Sequence, residues 1–246
     1  MQRVRVRYTR RGRLRFTSHR DVARVLERAI RRAGVPIAFS AGFSPHPRIS
    51  YVGACPTGVA SEAEYLELGL SQVCDPERLR AALDAALPAG IDVVAVAVAV
   101  PGEPSLPDRI DASHWRVRLP GVTAEELGPA VAAFLAAERV GVQRRTKDGS
   151  REVDARGPVV AASVSGSAEA GGCATLDLVV RHATPAVRPD DVLAGLRGVT
   201  GLVPAAPPEA TRLAQGLLTA DGELADPLAP APGLQQAGGQ SSAAVE

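Results

Sequence analysis

Two hydrophobic periodicities alternate along this chain, and their order restricts the folds open to it. Arg3–Tyr8 alternates charged and apolar residues with period two, as a half-exposed strand does. Behind Ser18, a good N-cap, apolar residues then recur at helical spacing from Val22 to Ala33, and Gly34 ends the pattern. The chain therefore begins with a strand followed by an amphipathic helix, and similar segments continue beyond it.

Extended along the chain, this pattern predicts the α+β class. Residues 1–100 give the order β-α-β-β-α-β with one extra hairpin strand, which is the ferredoxin-like arrangement. A Pro- and Gly-rich segment at 101–112 is interpreted as a linker, and a second ferredoxin-like unit is expected at 113–204. Residues 205–246, rich in Ala, Pro, Gly, Gln and Ser, are expected to form a mostly disordered tail, with at most a short helix or strand at 212–218.

Capping residues predict where the later helices begin. Asp75 followed by Pro76 starts the second helix, and Thr123 with Glu126 forms a capping box for the third. Two further expectations concern strands. The arginine face of the first strand should stay outside the core, and Val35–Phe39 should form a short strand.

Positive charge is concentrated at the start of the sequence. Residues 1–50 contain thirteen arginines against Asp21 and Glu27, a net charge of +11, whereas the rest holds 15 basic and 25 acidic residues, a net charge of −10. Such an asymmetry creates a strong local field and predicts a polyanionic partner. The alternative is that the basic segment is neutralised within the chain by the acidic remainder.

Several classes of protein are excluded by what the sequence lacks. Cys55, Cys74 and Cys173 are odd in number and far apart, so they predict neither a disulfide framework nor a metal or iron–sulfur site, and we expect no cofactor in this chain. No apolar run approaches the ~18 residues of a membrane span, and the N-terminus lacks the apolar core of a signal peptide. We therefore expect a cytoplasmic protein without membrane contact.

Three clusters in the first unit carry more chemistry than the fold requires, namely Phe16–Asp21, Ser40–Ser50 and Pro56–Tyr65. In the second cluster, prolines on both sides of His46 fix the backbone and hold the imidazole on a stiff loop beside Arg48. This pairing suits phosphate or carboxylate binding. A purely structural loop histidine is the alternative.

The remaining residues of the first two clusters also have two interpretations. Helix capping alone explains Ser18 and Asp21. His19, exposed at the first helical position, either contacts a ligand or has no role. Gly42 is expected to take a positive φ, and Phe43 is expected to anchor the loop in the core.

The third cluster contains two carboxylates. Glu62 and Glu64 flank Ala63, so both are expected on one face of a strand. They either neutralise Arg32 or Arg48, or contact a ligand amine or a bound cation.

These motifs resemble those of a known family. The segments Ser18–Asp21, Ser40–Arg48 and Ser61–Glu67 are similar to motifs of the radical SAM-linked proteins, a family whose biochemical role is not established. The resemblance covers residues 3 to about 70 and continues more thinly to about 200, and Arg20 stands where an aliphatic residue is common. It implies a radical SAM protein as partner. It also implies a second basic motif in a hairpin containing Arg145, Lys147, Asp154 and Arg156.

The function predicted from these observations is that of a non-catalytic accessory protein. It would act with a radical SAM enzyme and bind an anionic partner such as tRNA or rRNA through its basic N-terminal unit. One alternative is an RNA-processing or RNA-modifying enzyme that uses His19 and His46 as acid and base. Another is a protein–protein adaptor. No catalytic residue and no metal ligand is assigned. The predicted ligand-binding residues are Ser18, His19, Arg32, Ser40, Gly42, Phe43, Ser44, His46, Arg48, Ser50, Ser61, Glu62, Glu64, Lys147 and Arg156.

Overall fold

A computed structural model describes residues 1–146, 149–166 and 172–230. These residues form a mixed α+β structure with four α-helices and a large mixed sheet. The helices are α1 (His19–Arg32), α2 (Pro76–Ala86), α3 (Ala124–Ala136) and α4 (Pro189–Thr200). The strands are β1 (Gln2–Arg10), β2 (Ile49–Val52), β3 (Ala60–Leu70), β4 (Val93–Val98), β5 (Ala112–Pro120), β6 (Gly141–Thr146), β7 (Gly149–Asp154), β8 (Val159–Ser165), β9 (Cys173–Arg181), β10 (Glu209–Leu218) and β11 (Leu224–Ala225).

One nine-stranded sheet runs through the molecule. Its main path is β4-β1-β3-β10-β5-β9-β8, with β2 also paired to β3 and β11 to β10, while β6 and β7 form a separate hairpin. Neighbouring strands are antiparallel except β3 and β10, which pair in parallel through Ala60–Ser61 and Thr211–Arg212. Because β10 contacts only the start of β3, β2 occupies the rest of the same edge.

Two large hydrophobic cores lie along this sheet, one for each half, and a smaller third cluster contains Leu106 and Ile110. In the first, the apolar face of β1 packs against the stripes of α1 and α2, as the period-two and helical patterns predict. In the second, β5 and β9 pack against α3 and α4. Cys55 and Val59, which precede β3, also belong to the second core. The two halves therefore share buried residues as well as a sheet.

The predicted helix starts are confirmed. The Ser18 side chain accepts a hydrogen bond from the Asp21 backbone N–H, and the Asp75 carboxylate accepts one from its own first turn. Thr123 and Glu126 form the reciprocal bonds of a capping box. Each of these bonds satisfies a backbone N–H that the helix itself leaves unpaired.

The prediction that the arginine face of β1 stays outside the core is wrong for Arg5. This side chain is only 1% exposed, because residues 99–110 cross the back of the sheet and cover it. Its guanidinium donates to the Glu103 carboxylate at 2.9 Å and to the Pro104 carbonyl at 2.6 Å. Period two correctly separates the two faces of β1, but it does not show that a later segment buries the second face.

The expected tail also differs from the structure. Residues 209–218 form β10, which lies in the middle of the sheet between β3 and β5. Its buried positions include Arg212 and Gln215, and these polar residues mask the apolar alternation by which a strand is recognised. Residues 231–246 lie outside the described part of the chain.

Two segments that flank α1 are not strands, and one of them is the predicted strand Val35–Phe39. The segment after β1 forms a 3₁₀ turn at Gly12–Phe16, where Gly12 has a φ of +55° and ends the extended conformation. Val35–Phe39 makes isolated bridges only, from Ile37 to Leu70 and from Phe39 to Pro47. Prolines interrupt this region and remove the backbone donors that a longer ladder would need.

The helices of the described ranges are all too short or too polar to cross a membrane.

Candidate anion-binding site

The exposed face of α1 carries five arginines, which we call the arginine stripe: Arg20, Arg24, Arg28, Arg31 and Arg32. At about 100° per residue, these positions fall within about 120° of arc around the helix. The opposite face holds the buried residues Val22, Leu26 and Ile30. Packing of that apolar face on the sheet therefore turns the arginines toward solvent.

Most of the positive charge of the stripe is not neutralised within the molecule. Arg24 forms an exposed pair with Asp21 at 3.3 Å, and Arg32 donates to the Ala86 carbonyl. The side chains of Arg20, Arg28 and Arg31 have no hydrogen bond or ion pair with any residue in the described ranges. Exposed ion pairs contribute little energy, so the pair with Asp21 leaves Arg24 accessible.

Three arginines in or just after β1, in contrast, are neutralised by acidic residues of the same chain. Arg3 and Arg5 both contact Glu67, and Arg11 pairs with Glu62. Neutralisation within the chain, which was the alternative to a polyanionic partner, thus applies to β1 and its end. It does not apply to the stripe on α1.

The proline-braced loop is closed by its own backbone. The Ser40 Oγ accepts from the His46 N–H at 3.0 Å, and the Ser40 N–H donates to the His46 carbonyl at 2.8 Å. Gly42 has a φ of +128°, which confirms the predicted positive value. Phe43 is fully exposed, so the expectation that it anchors the loop in the core is wrong. Because these hydrogen bonds close the loop, it needs no apolar anchor. Ser44, which follows Phe43, is also exposed.

This loop lies at the C-terminal end of α1. Phe39 and Pro47 line a groove of about 580 Å³ together with Ile30 and Arg31 of the helix. Arg31 therefore places the stripe next to the loop.

The two polar residues that follow the loop line a separate pocket. Arg48 and Ser50 are exposed and border a pocket of about 200 Å³ with Arg3 and Glu67. Arg48 also donates to the Phe39 carbonyl at 3.4 Å. Its side chain is thus directed along the loop and is not paired with a described carboxylate.

His19 lies at the opposite end of α1. Its ring makes an edge contact with Tyr51 at 5.5 Å between centroids, and it lines a cavity of about 450 Å³ with Cys55 and Arg188. His19 and Arg31 are separated by about 18 Å along the helix axis, at 1.5 Å per residue. Because His46 belongs to the loop near Arg31, the two imidazoles do not meet at one reacting atom.

The two carboxylates of the third cluster do pair with arginines, but not with the expected Arg32 or Arg48. Glu62 accepts from Arg11 at 2.7 Å, whereas Glu64 is buried and paired with Arg212. Arg11 directly follows β1 and Arg212 lies in β10, and these two strands lie on opposite edges of β3. The two carboxylates therefore bind arginines on opposite sides of β3 and form no common site.

Ser61 is also used inside the protein. It is completely buried, and its Oγ accepts from the Arg212 guanidinium at 3.4 Å and from the Ala63 N–H at 3.2 Å.

Burial raises the pKa of the neighbouring Cys55 thiol to about 11, so this thiol stays protonated near neutral pH.

Within the second basic motif, Lys147 lies outside the described residues. Arg156 donates to the carbonyls of Leu135 and Val159 and so connects α3 to the start of β8. Burial raises the pKa of Asp154, but backbone N–H groups, including that of Arg156, outweigh burial and hold it below its ordinary value. These contacts give Arg156 and Asp154 structural roles.

A cleft between the two halves of the sheet was not identified from the sequence. Its cavity of about 300 Å³ includes Ser113, whose Oγ lies 2.7 Å from the His182 Nε2, and Trp115 with the Arg212 guanidinium over its ring. Burial, and secondarily Arg212, lower the pKa of His182, while Asp111 opposes the shift. Ser113 and His182 are 69 positions apart, so no local pattern signals this pair.

Among the residues described, no group of three His, Cys, Asp or Glu side chains is placed to hold a metal ion. The search of curated proteins found no match. The model of a family described as "Uncharacterized protein conserved in bacteria (DUF2344)" matches residues 3–189, which is more than half of the chain. The chain belongs to this family.

Proposed function

We propose that this chain is a binding protein that holds an anionic polymer, RNA foremost, on the arginine stripe of α1. The observation that carries the proposal is the stripe itself. Five exposed arginines lie within one arc of the helix, and three of them have no partner among the described residues. The stripe extends about 18 Å along the helix axis, which is long enough to face several phosphates of a nucleic acid strand.

The positions of the two histidines and the charge of the stripe also bear on the two alternative functions. An RNA-processing enzyme with His19 and His46 as acid and base needs both groups within hydrogen-bond reach of one substrate bond. Their positions at opposite ends of α1 do not favour this mechanism. A protein–protein adaptor with an acidic partner is compatible with the charge of the stripe. It is therefore the alternative that the experiment must separate.

The experiment is filter binding of labelled total tRNA, with poly-glutamate as competitor. The test variant is Arg24→Ala/Arg28→Ala/Arg31→Ala. Its control, Arg116→Ala/Arg118→Ala/Arg197→Ala, removes the same charge from other exposed positions. We expect the test variant to lose roughly tenfold or more in affinity and the control to stay near wild type, because phosphate contacts dominate such binding. Equal losses in both triple variants would remove the proposal, and competition by poly-glutamate at equal charge would favour the adaptor.

The partner implied by the family resemblance is a further part of the proposal. A radical SAM protein is the expected partner, and co-purification from cells before and after nuclease treatment tests it. Retention after nuclease indicates direct protein contact, whereas loss indicates that RNA bridges the two proteins.

We also infer that each half of the molecule is a ferredoxin-like unit. The strand order β4-β1-β3-β2 with α1 and α2 supports this for the first half. The order β10-β5-β9-β8 with α3 and α4 supports it for the second, with the β6–β7 hairpin as an insertion. In both halves the chain follows the β-α-β-β-α-β order of that fold.

A further inference from the structure

Three of the four phenylalanines in this chain are exposed to solvent. Phe16, Phe39 and Phe43 are 61%, 59% and 108% exposed, whereas Phe134 is 1% exposed in the second core. Phenylalanine is among the residue types most often fully buried, and exposed apolar groups that cluster commonly mark binding sites. The exposure of three such rings in one region therefore needs a functional explanation.

All three exposed rings lie at the ends of the arginine stripe. Phe16 is two residues before the N-cap of α1, and the Arg15 guanidinium lies over its ring at 4.8 Å. At the other end, Phe39 lines the groove with Arg31, and Phe43 stands on the proline-braced loop. The surface thus has aromatic rings at both ends and positive charge between them.

We propose that this surface binds single-stranded RNA, with unpaired bases stacked on the exposed phenylalanines and phosphates along the arginine stripe. The inference rests on the proposed function and extends it by naming the form of nucleic acid. Proteins that bind single strands combine a positively charged path for the backbone with aromatic side chains on which bases stack. The bases of a duplex are already stacked on one another and present only their edges, so a duplex would leave these rings without a partner.

Polar groups beside Phe43 favour RNA over DNA. Ser44 and His46 are exposed on the same loop as Phe43 and offer a hydroxyl and an imidazole group. The ribose 2′-OH both donates and accepts hydrogen bonds, and it is the group by which a protein distinguishes RNA from DNA. The Ser40 Oγ already accepts the loop-closing bond, which leaves its hydroxyl proton and one lone pair for such a contact.

The test uses the full-length protein and fluorescence anisotropy of a labelled U-rich RNA of about 12 nucleotides, within the usual site sizes of single-strand binding modules. Competitors are the DNA of the same sequence, an RNA duplex of the same length and inorganic polyphosphate. The variant Phe16→Leu/Phe43→Leu keeps every charge and removes two π faces. Its control, Val160→Ala/Val203→Ala, truncates two exposed apolar residues in the second half of the molecule.

We expect the single-stranded RNA to bind more tightly than each competitor. The double phenylalanine variant should lose roughly tenfold or more for the single strand and little for the duplex, whereas the valine control should match wild type. Unchanged single-strand affinity in the phenylalanine variant would overturn the inference while leaving polyanion binding intact. Equal affinity for the DNA would overturn the RNA assignment. Absence of binding to every polyanion would remove both the inference and the proposed function.

Discussion

Arginine has two different roles in this chain, and the position of each residue in the fold decides which role it has. Arg5, Arg10 and Arg212 are buried and hold carboxylates or backbone carbonyls inside the protein. The arginines of the stripe face solvent, because the opposite face of α1 packs on the sheet. A total charge of +11 for the first fifty residues therefore overstates what is available to a partner.

The buried pair of Arg212 and Glu64 should be important for stability. Arg212→Met leaves the Glu64 carboxylate buried without its partner, which costs about 3–5 kcal/mol in the free energy of unfolding. Urea denaturation measures this loss. The control Arg118→Met removes an exposed pair with Glu209 and should cost less than about 1 kcal/mol. Similar losses of unfolding free energy in the two variants would show that the buried pair contributes no more to stability than the exposed pair.

The lowered pKa of His182 predicts a pH dependence of stability. Below the unfolded-state pKa of about 6.5, the unfolded chain binds the proton more readily than the folded chain, so stability falls as the pH falls. The His182→Gln variant should show a flatter dependence in this window, measured by thermal melting at several pH values. An identical pH dependence in the variant, or an NMR titration of His182 at or above the unfolded value, would contradict the assignment.

Individual side chains were predictable from sequence where a local backbone rule fixes them. Gly42 takes its positive φ and Ser18 caps α1, since both properties depend on neighbouring residues only. Phe43 was misassigned to the core because hydrophobicity alone does not reveal that the loop closes through Ser40 and His46. The Ser113–His182 pair depends on the pairing of distant segments and has no local signal.

At the scale of elements, α1 positions the candidate site. Its N-cap residue, Ser18, should affect the stability of the protein but not its affinity for the ligand. Ser18→Ala removes the bond to the Asp21 N–H and should cost about 1 kcal/mol of stability. Ser18→Asn, another good cap, should retain both the stability and the RNA affinity of wild type. Chemical denaturation and RNA binding of the same samples test this. A loss of affinity in a stable Ser18→Asn protein would indicate that Ser18 contacts the ligand.

Elements with strong periodicity and caps were found from the sequence, and those defined by long-range pairing were not. The helices α1 to α3 begin at the predicted caps, and β1 contains the predicted strand Arg3–Tyr8. The sequence predicts at most a short helix or strand at 212–218 in place of β10, because the buried positions of this strand include Arg212 and Gln215, whose side-chain nitrogens find acceptors only once β10 lies against β3. Its identity as a strand depends on a partner about 150 residues earlier in the chain.

At the scale of the whole molecule, β10 connects the two halves of the sheet. A chain ending at residue 204 lacks this strand and leaves the edges of β3 and β5 and the ring of Trp115 without their partner. We expect that chain to lose cooperative thermal unfolding, whereas a chain ending at residue 230 should keep it. Circular dichroism melting of both proteins checks this. Cooperative melting of the shorter chain at the temperature of the longer one would show that β10 is dispensable.

The proposed function of this protein requires the arginine stripe to be a binding site for a polyanion. The most direct measurement is the dependence of RNA affinity on salt concentration, for wild type and for Arg24→Ala/Arg28→Ala/Arg31→Ala. If the three side chains neutralise phosphates, the slope of log affinity against log salt should become shallower by about 2 in the variant. A slope equal to that of wild type would contradict the account, because the arginines would then release no counterions from the RNA.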